Sequence, residues 1–177
     1  MTFSGAVLTG GASRRMGRDK AAITIEGVAM AERVARALRA AGARDVLDVG
    51  RDVADRYPGE GPLGGIITAL SECPSEIVVV APCDLLAPEP AAFSALVAVL
   101  EATPDAAVAA PTVQGRRQPF PSAWRSETAL EPLEAAFARG ERSPVRALDE
   151  LDLVEVVLAP EAVADADVPS DLPPGTR

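Results

Sequence analysis

Residues 77–81 of this chain, Ile-Val-Val-Val-Ala, are apolar without interruption, and the first four are β-branched. In a strand, successive side chains point to opposite faces of the sheet, so this run has no face to turn toward water. Such a strand belongs in the middle of a parallel sheet with helices packed over both faces. The flanking segments agree. Phe3 to Leu8 is an apolar strand candidate and Val46 to Val49 another. Between them, residues 29–41 set Met30, Val34, Ala37, Leu38 and Ala41 at helical spacing, with Gly42 where a helix C-terminus favours glycine. Further on, a helix is expected from about Pro90 to Glu101, a strand over Ala106 to Ala110, and an amphipathic helix over Thr128 to Arg139. Ser143 then caps a helix with Pro144 in its first position, and Val154 to Leu158 is a final strand. The alternation predicts an α/β fold: one three-layer, doubly wound domain with a mostly parallel central sheet, over residues 1–172, followed by a disordered tail at 173–177.

Sheets of this kind bind ligands outside the carboxyl ends of their strands. After the first strand comes Leu8-Thr-Gly-Gly-Ala-Ser-Arg-Arg-Met-Gly-Arg-Asp-Lys20. Glycines let backbone approach a ligand closely, and successive unpaired N–H groups form a concavity for anions. Arg14, Arg15, Arg18 and Lys20 add four positive charges in a chain whose net charge is -9. That local reversal of sign points to phosphate. A P-loop is excluded, because neither Gly10 nor Gly11 is followed by Gly five residues later, and Gly-x-Gly-x-x-Gly does not fit either.

The same string resembles the signature of the molybdenum cofactor guanylyltransferases, in the nucleotidyltransferase superfamily with a Rossmann-like fold, whose loop reads Leu-Ala-Gly-Gly-x-x-x-Arg-Met-Gly-x-Asp-Lys. Thr9 stands here in place of the usual Ala, a small change. The resemblance implies that Leu8, Gly10, Gly11, Arg15 and Lys20 hold the triphosphate of a nucleotide. It also implies that Gly61, Pro62 and Leu63, in Gly-Pro-Leu-Gly-Gly, lie against the base and ribose. Taken alone, that turn has the competing reading of a tight bend leading into a short helix.

Asp55 precedes the turn by six residues, where the family has an Asp some seven residues ahead. A carboxylate there could accept from guanine N1–H and the exocyclic amine together, and so reject adenine. Asp48 stands where relatives carry Asn near the base. The competing reading of both is a solvated loop Asp. In Pro82-Cys-Asp-Leu-Leu86, Asp84 resembles the metal-binding Asp of Pro-Cys-Asp-x-Pro, with Leu86 in place of the last Pro. A carboxylate suits Mg2+, which takes one or two of them plus substrate phosphates.

Arg116, Arg117 and Gln118 are candidates for the anionic group of an acceptor, against the alternative of a solvated hairpin tip. Arg142, in a segment resembling Ala-Gly-x-Arg-Ser, could reach the acceptor too, with a structural role as the default. Asp165-Ala-Asp-Val-Pro-Ser-Asp-Leu172 aligns with Asx-x-Asn-Thr-Pro-Glu-Asp-Leu, which makes Asp167 a second metal ligand by resemblance. Asp167 can ligate a hard cation but, unlike Asn, cannot donate a hydrogen bond.

With no His, the usual general base and the Ser-His-Asp route are excluded, and two Cys outside a CxxC pair do not make a zinc site. The acidic balance argues against non-specific nucleic-acid binding. No apolar run reaches the roughly 20 residues of a membrane helix. The two thiols and the absence of a secretory segment suggest the cytoplasm. The whole resembles a transferase with Lys20 and Asp84 as catalytic residues, moving GMP from Mg-GTP to the phosphate of Mo-molybdopterin. Cytidylyltransferases and sugar-phosphate nucleotidyltransferases share the scaffold and stay open as alternatives, as does a non-catalytic nucleotide-binding module.

Overall fold

The structure, a computed structural model, describes residues 2–10, 20–166, 168–173 and 176. Its first strand β1 (Phe3–Leu8) leads to a short hairpin, β2 (Thr24–Ile25) and β3 (Val28–Ala29), and then to α1 (Met30–Ala40). β4 (Asp45–Val49), α2 (Pro62–Glu72), β5 (Ile77–Pro82), α3 (Pro90–Ala102) and β6 (Val108–Val113) complete the alternating part. β7 (Arg116–Arg117), β8 (Ser122–Arg125), α4 (Ser126–Ala138), α5 (Pro144–Leu148) and β9 (Leu153–Val157) follow.

The main sheet runs β4-β1-β5-β8-β6, with β7 on β6 and β9 pairing β6 in parallel. β1 pairs in parallel with β4 and β5, in a register that sets Leu8 beside Val49 and Pro82. The ends of three strands therefore meet at one edge. β8 is the exception to the parallel pattern, inserted antiparallel between β5 and β6. Its first three residues are buried, with Ala123 packed on one face of the sheet and Trp124 on the other.

β5 carries the core on both sides, as its composition demanded. Ile77, Val79 and Ala81 pack with Val34 and Leu38 of α1 and with Phe93 and Leu96 of α3. Val78 and Val80 pack on the opposite face with Ile66 and Leu70 of α2, Leu133 of α4 and Leu148 of α5. Each of the three central valines is fully buried, contributing about 2 kcal/mol. A polar residue at any of them would face a dry layer. The fold is thus the mixed α/β sandwich with a mostly parallel sheet that the strand–helix alternation implied.

Two close approaches aim α2 at the edge where the strands end. A Cβ on Gly65 would lie 3.2 Å from a methyl of Leu8, and one on Gly64 would lie 2.7 Å from the Tyr57 Cβ. Larger residues there would push the helix off β1 and off the loop before it. Gly61, with φ at 93°, turns the chain into the helix, and Pro62 takes its first turn.

Candidate active site

At the carboxyl edge a cleft of about 510 Å³ is lined by Leu8, Gly10, Lys20, Asp55, Gly61, Pro62 and Asp84, all expected from the sequence. Thr9, Val49, Gly59, Gly65, Pro82, Cys83 and Phe120 line it as well. Leu63, expected at the base, is instead fully buried in the core under α2. Its apolar side chain is worth more there than at a polar rim. Gly11, Arg15 and Asp167 lie outside the described residues.

Lys20 and Asp84 meet. The Lys20 Nζ donates to Asp84 Oδ2 at 2.8 Å, with the two side chains 16% and 14% exposed. Asp84 sits in the turn after β5, which is fastened at two points. The Cys83 N–H donates to the Leu8 carbonyl at 3.2 Å, and the Asp84 carbonyl accepts from the Ala166 N–H at 3.1 Å. Leu86 N–H donates to the Ala164 carbonyl in turn. The segment carrying the last sequence motif is thus laid beside the turn that carries Asp84. Among the described residues no group of three or more His, Cys, Asp and Glu could hold a metal ion.

The start of the glycine loop differs from the expectation of unpaired N–H groups. Thr9 and Gly10 both donate their N–H to the Val49 carbonyl, at 3.0 and 3.1 Å. The Thr9 hydroxyl lies 2.9 Å from that carbonyl and also bonds the Asp48 carboxylate. Thr9 is therefore not a neutral stand-in for Ala: its hydroxyl ties the end of β1 to β4. Asp48, expected near the base, faces the other way. It lines a hollow with Arg39 of α1 and with Arg51 and Asp52, and is not among the cleft residues.

Asp55 does face the cleft, but with one oxygen committed. Its Oδ1 accepts from the Tyr57 N–H at 3.0 Å and from the Thr68 hydroxyl at 3.1 Å. Acceptance by both carboxylate oxygens, suggested by the sequence, is thereby reduced to Oδ2, which lies on the Gly10 side.

Arg116, Arg117 and Gln118 do not line the cleft. The Arg117 guanidinium is held by Asp149 at 2.5 Å and Glu155 at 3.2 Å, while Arg116 is exposed. Phe120, just beyond them, is the residue of this segment that reaches the cleft. Trp124 belongs to the core, its ring N–H donating to the Ser122 hydroxyl at 2.8 Å. Arg142 is structural. It donates to Glu60 at 2.8 Å and to the Phe137 carbonyl, and its guanidinium stacks 3.7 Å over the Phe137 ring. Because Tyr57 packs on the same ring, this pins the loop before α2.

Residues 5–154 match the model of the MobA-like NTP transferase domain. The chain belongs to that family. A probable molybdenum cofactor guanylyltransferase from Chloroflexus aggregans is 33% identical over 162 residues, covering 80% of this chain and 74% of that one. A second, from Opitutus terrae, is 46% identical over 79 residues, a stretch spanning 38% of this chain and only 39% of that relative. Among solved structures, molybdopterin-guanine dinucleotide biosynthesis protein A from Archaeoglobus fulgidus superposes with a TM-score of 0.70 at 21% identity, covering 95% and 94% of the two chains. That likeness establishes the shared fold. As a MobA-like NTP transferase the protein is a nucleotidyltransferase enzyme, of a family that typically uses a divalent metal. None of its described helices is long and apolar enough to cross a membrane.

Proposed function

We propose that this nucleotidyltransferase transfers GMP from Mg-GTP to the phosphate of Mo-molybdopterin, giving molybdopterin guanine dinucleotide and pyrophosphate. The observation that carries the proposal is the Lys20–Asp84 pair, a cation and a hard anion held together in a cleft beside a glycine loop and a helix N-terminus. The names of the Chloroflexus and Opitutus relatives support guanine and the molybdenum cofactor.

Asp84 fits Mg2+. One carboxylate is enough for an ion that completes its octahedron with substrate phosphates and water. Asp167 is the second donor we propose, one residue beyond the bonded Ala166. Held by Asp84, and by Asp167 as proposed, the ion would supply polarisation of the α-phosphate and charge neutralisation for the leaving pyrophosphate.

The protein's own groups position and neutralise. Lys20 exchanges Asp84 for the triphosphate and offsets its charge as the bond to the α-phosphorus breaks. Leu8 and Gly10 would line the phosphates at the loop start, where the Thr9 and Gly10 N–H groups are already bonded to the Val49 carbonyl, so donors to phosphate are proposed from Gly11 onward, with Arg15 adding charge. The positive end of α2 at Gly61 and Pro62 faces the same side. Asp55 Oδ2 accepts from the guanine edge, where adenine would present an acceptor instead. The acceptor phosphate is already ionised at neutral pH, so the reaction proceeds without a His. It approaches along the Phe120 side, with Arg116 and Gln118 upstream in the chain as its proposed contacts. Cys73 and Cys83 are both buried and form no disulfide, in keeping with the reducing cytoplasm as site of action.

The test is a panel of nucleoside triphosphates, each with Mg2+. GTP should raise the melting temperature most, as a ligand binding the folded state stabilises by RT ln(1 + [L]/Kd). Pyrophosphate release should then require Mo-molybdopterin. Equal stabilisation by CTP or UTP would move the assignment to another transferase of the scaffold.

A further inference from the structure

Thr68 is a fully buried residue of α2, and its hydroxyl stands at a junction. It accepts from the Arg56 backbone N–H at 3.1 Å, and lies 3.1 Å from Asp55 Oδ1 and 2.9 Å from the Gly64 carbonyl. A hydroxyl has one proton to give. The Gly64 carbonyl is already served by the helical i to i−4 ladder, whereas a carboxylate binds a donor about twice as strongly as a neutral acceptor. The proton therefore goes to Asp55. The Tyr57 N–H supplies a second donor to the same oxygen at 3.0 Å.

One donor would leave the carboxylate free to pivot. Two donors on Oδ1, arriving from different elements, fix its plane and leave Oδ2 turned to the Gly10 side of the cleft, 3.6 Å from where a Cβ on that glycine would stand. The orientation of the one acceptor available to a nucleobase is thus set from α2, by a side chain that never reaches the cleft.

We propose that Thr68 is a positioning residue for base selection, holding Asp55 so that Oδ2 meets the donors of the base edge. The inference rests on the reading that Asp55 accepts from guanine. Without the hydroxyl the carboxylate turns about its remaining bond to Tyr57, and discrimination falls while the phosphate-binding and transfer groups are untouched.

The experiment measures the ratio of kcat/KM for GTP and ATP in wild type, Thr68→Val, Thr68→Ser and Asp55→Asn. Because the ratio is taken on one preparation, loss of folded protein cancels, and Thr68→Ala serves should the valine variant fail to fold. Removing the hydroxyl should lower the ratio by about tenfold, the effect of one hydrogen bond to a charged group, with the change in KM and not in kcat. Thr68→Ser should keep the wild-type ratio. A Thr68→Val or Thr68→Ala ratio equal to wild type, with Asp55→Asn reduced, overturns the positioning role and leaves the Asp55 reading standing. An Asp55→Asn ratio equal to wild type overturns both.

Discussion

Lys20 and Asp84 are 64 positions apart, and the Lys20 Nζ donates to the Asp84 carboxylate at 2.8 Å. Each is the other's counter-ion in a mostly buried cleft, where an unpaired charge of either sign would be costly. A nucleotide that brings phosphate to one and a cation to the other divides the pair without leaving either unpaired.

Lys20→Ala and Asp84→Ala should therefore each fold, with native circular dichroism, and lose transfer by roughly 10²-fold or more. The double variant should be far less impaired than the product of the two, since both residues serve one charge arrangement. Near-normal turnover in either single variant would remove them from the chemistry.

Gly50 should tolerate no side chain. Its φ is 118°, and a Cβ there would stand 2.8 Å from the Gly10 nitrogen and from the Thr9 hydroxyl. Gly50→Ala is expected to cost about 1–3 kcal/mol in chemical denaturation and to weaken nucleotide binding, because relief of the clash displaces the start of the glycine loop. Unchanged nucleotide affinity in a destabilised variant would show that the loop start is not coupled to the ligand.

Cys73 should be inert in the native protein. Burial, with smaller contributions from Asp45 and Glu72, pushes its thiol up to about 12 from the usual 9.0. Thiol reagents at pH 8 should label it only after unfolding. Above pH 9 the unfolded chain loses a proton that the folded chain keeps, so stability should fall with rising pH by about 1.4 kcal/mol per unit until the folded thiol titrates. Cys73→Ala should flatten that part of the profile.

Glu141 should matter in mild acid. Its carboxylate accepts from the Ser143 N–H at 2.7 Å, pairs with Arg146 at 2.8 Å, and accepts from the Arg142 N–H, which together hold it below the usual carboxylate value. A depressed value stabilises the fold above pH 4.5, and that contribution disappears as the pH falls through the folded-state value. Wild type should exceed Glu141→Gln in stability at neutral pH and converge with it in acid. Parallel curves across the range would discount the interaction.

The sandwich was legible because β5 declared both of its faces in five residues; Lys20 and Asp84 each stood in a motif of its own, but nothing in the sequence showed that they would pair. What stayed hidden was set by partners distant in sequence. β8 has four residues, too few for periodicity, and its antiparallel pairing comes from the strands on either side. Arg117 looked like an anion site because Asp149 and Glu155 gave no sign that they would fold onto it. Asp48 turned from the cleft because the Thr9 hydroxyl and the β4 backbone direct it to the α1 side. Thr68 resembled any other position on a buried helix face, and only the folded loop of Asp55 gives its hydroxyl a task.

The two backbone bonds that join 84–86 to 164–166 also bear on synthesis. A nascent chain that has cleared the ribosome only as far as residue 163 can already pack α1, α2 and α3 around the first strands, since those contacts lie upstream. The turn holding Asp84 still lacks its second fastening. Translation therefore orders assembly: the sheet is built first, and the edge that carries Asp84 is locked only after nearly all of the described chain has emerged.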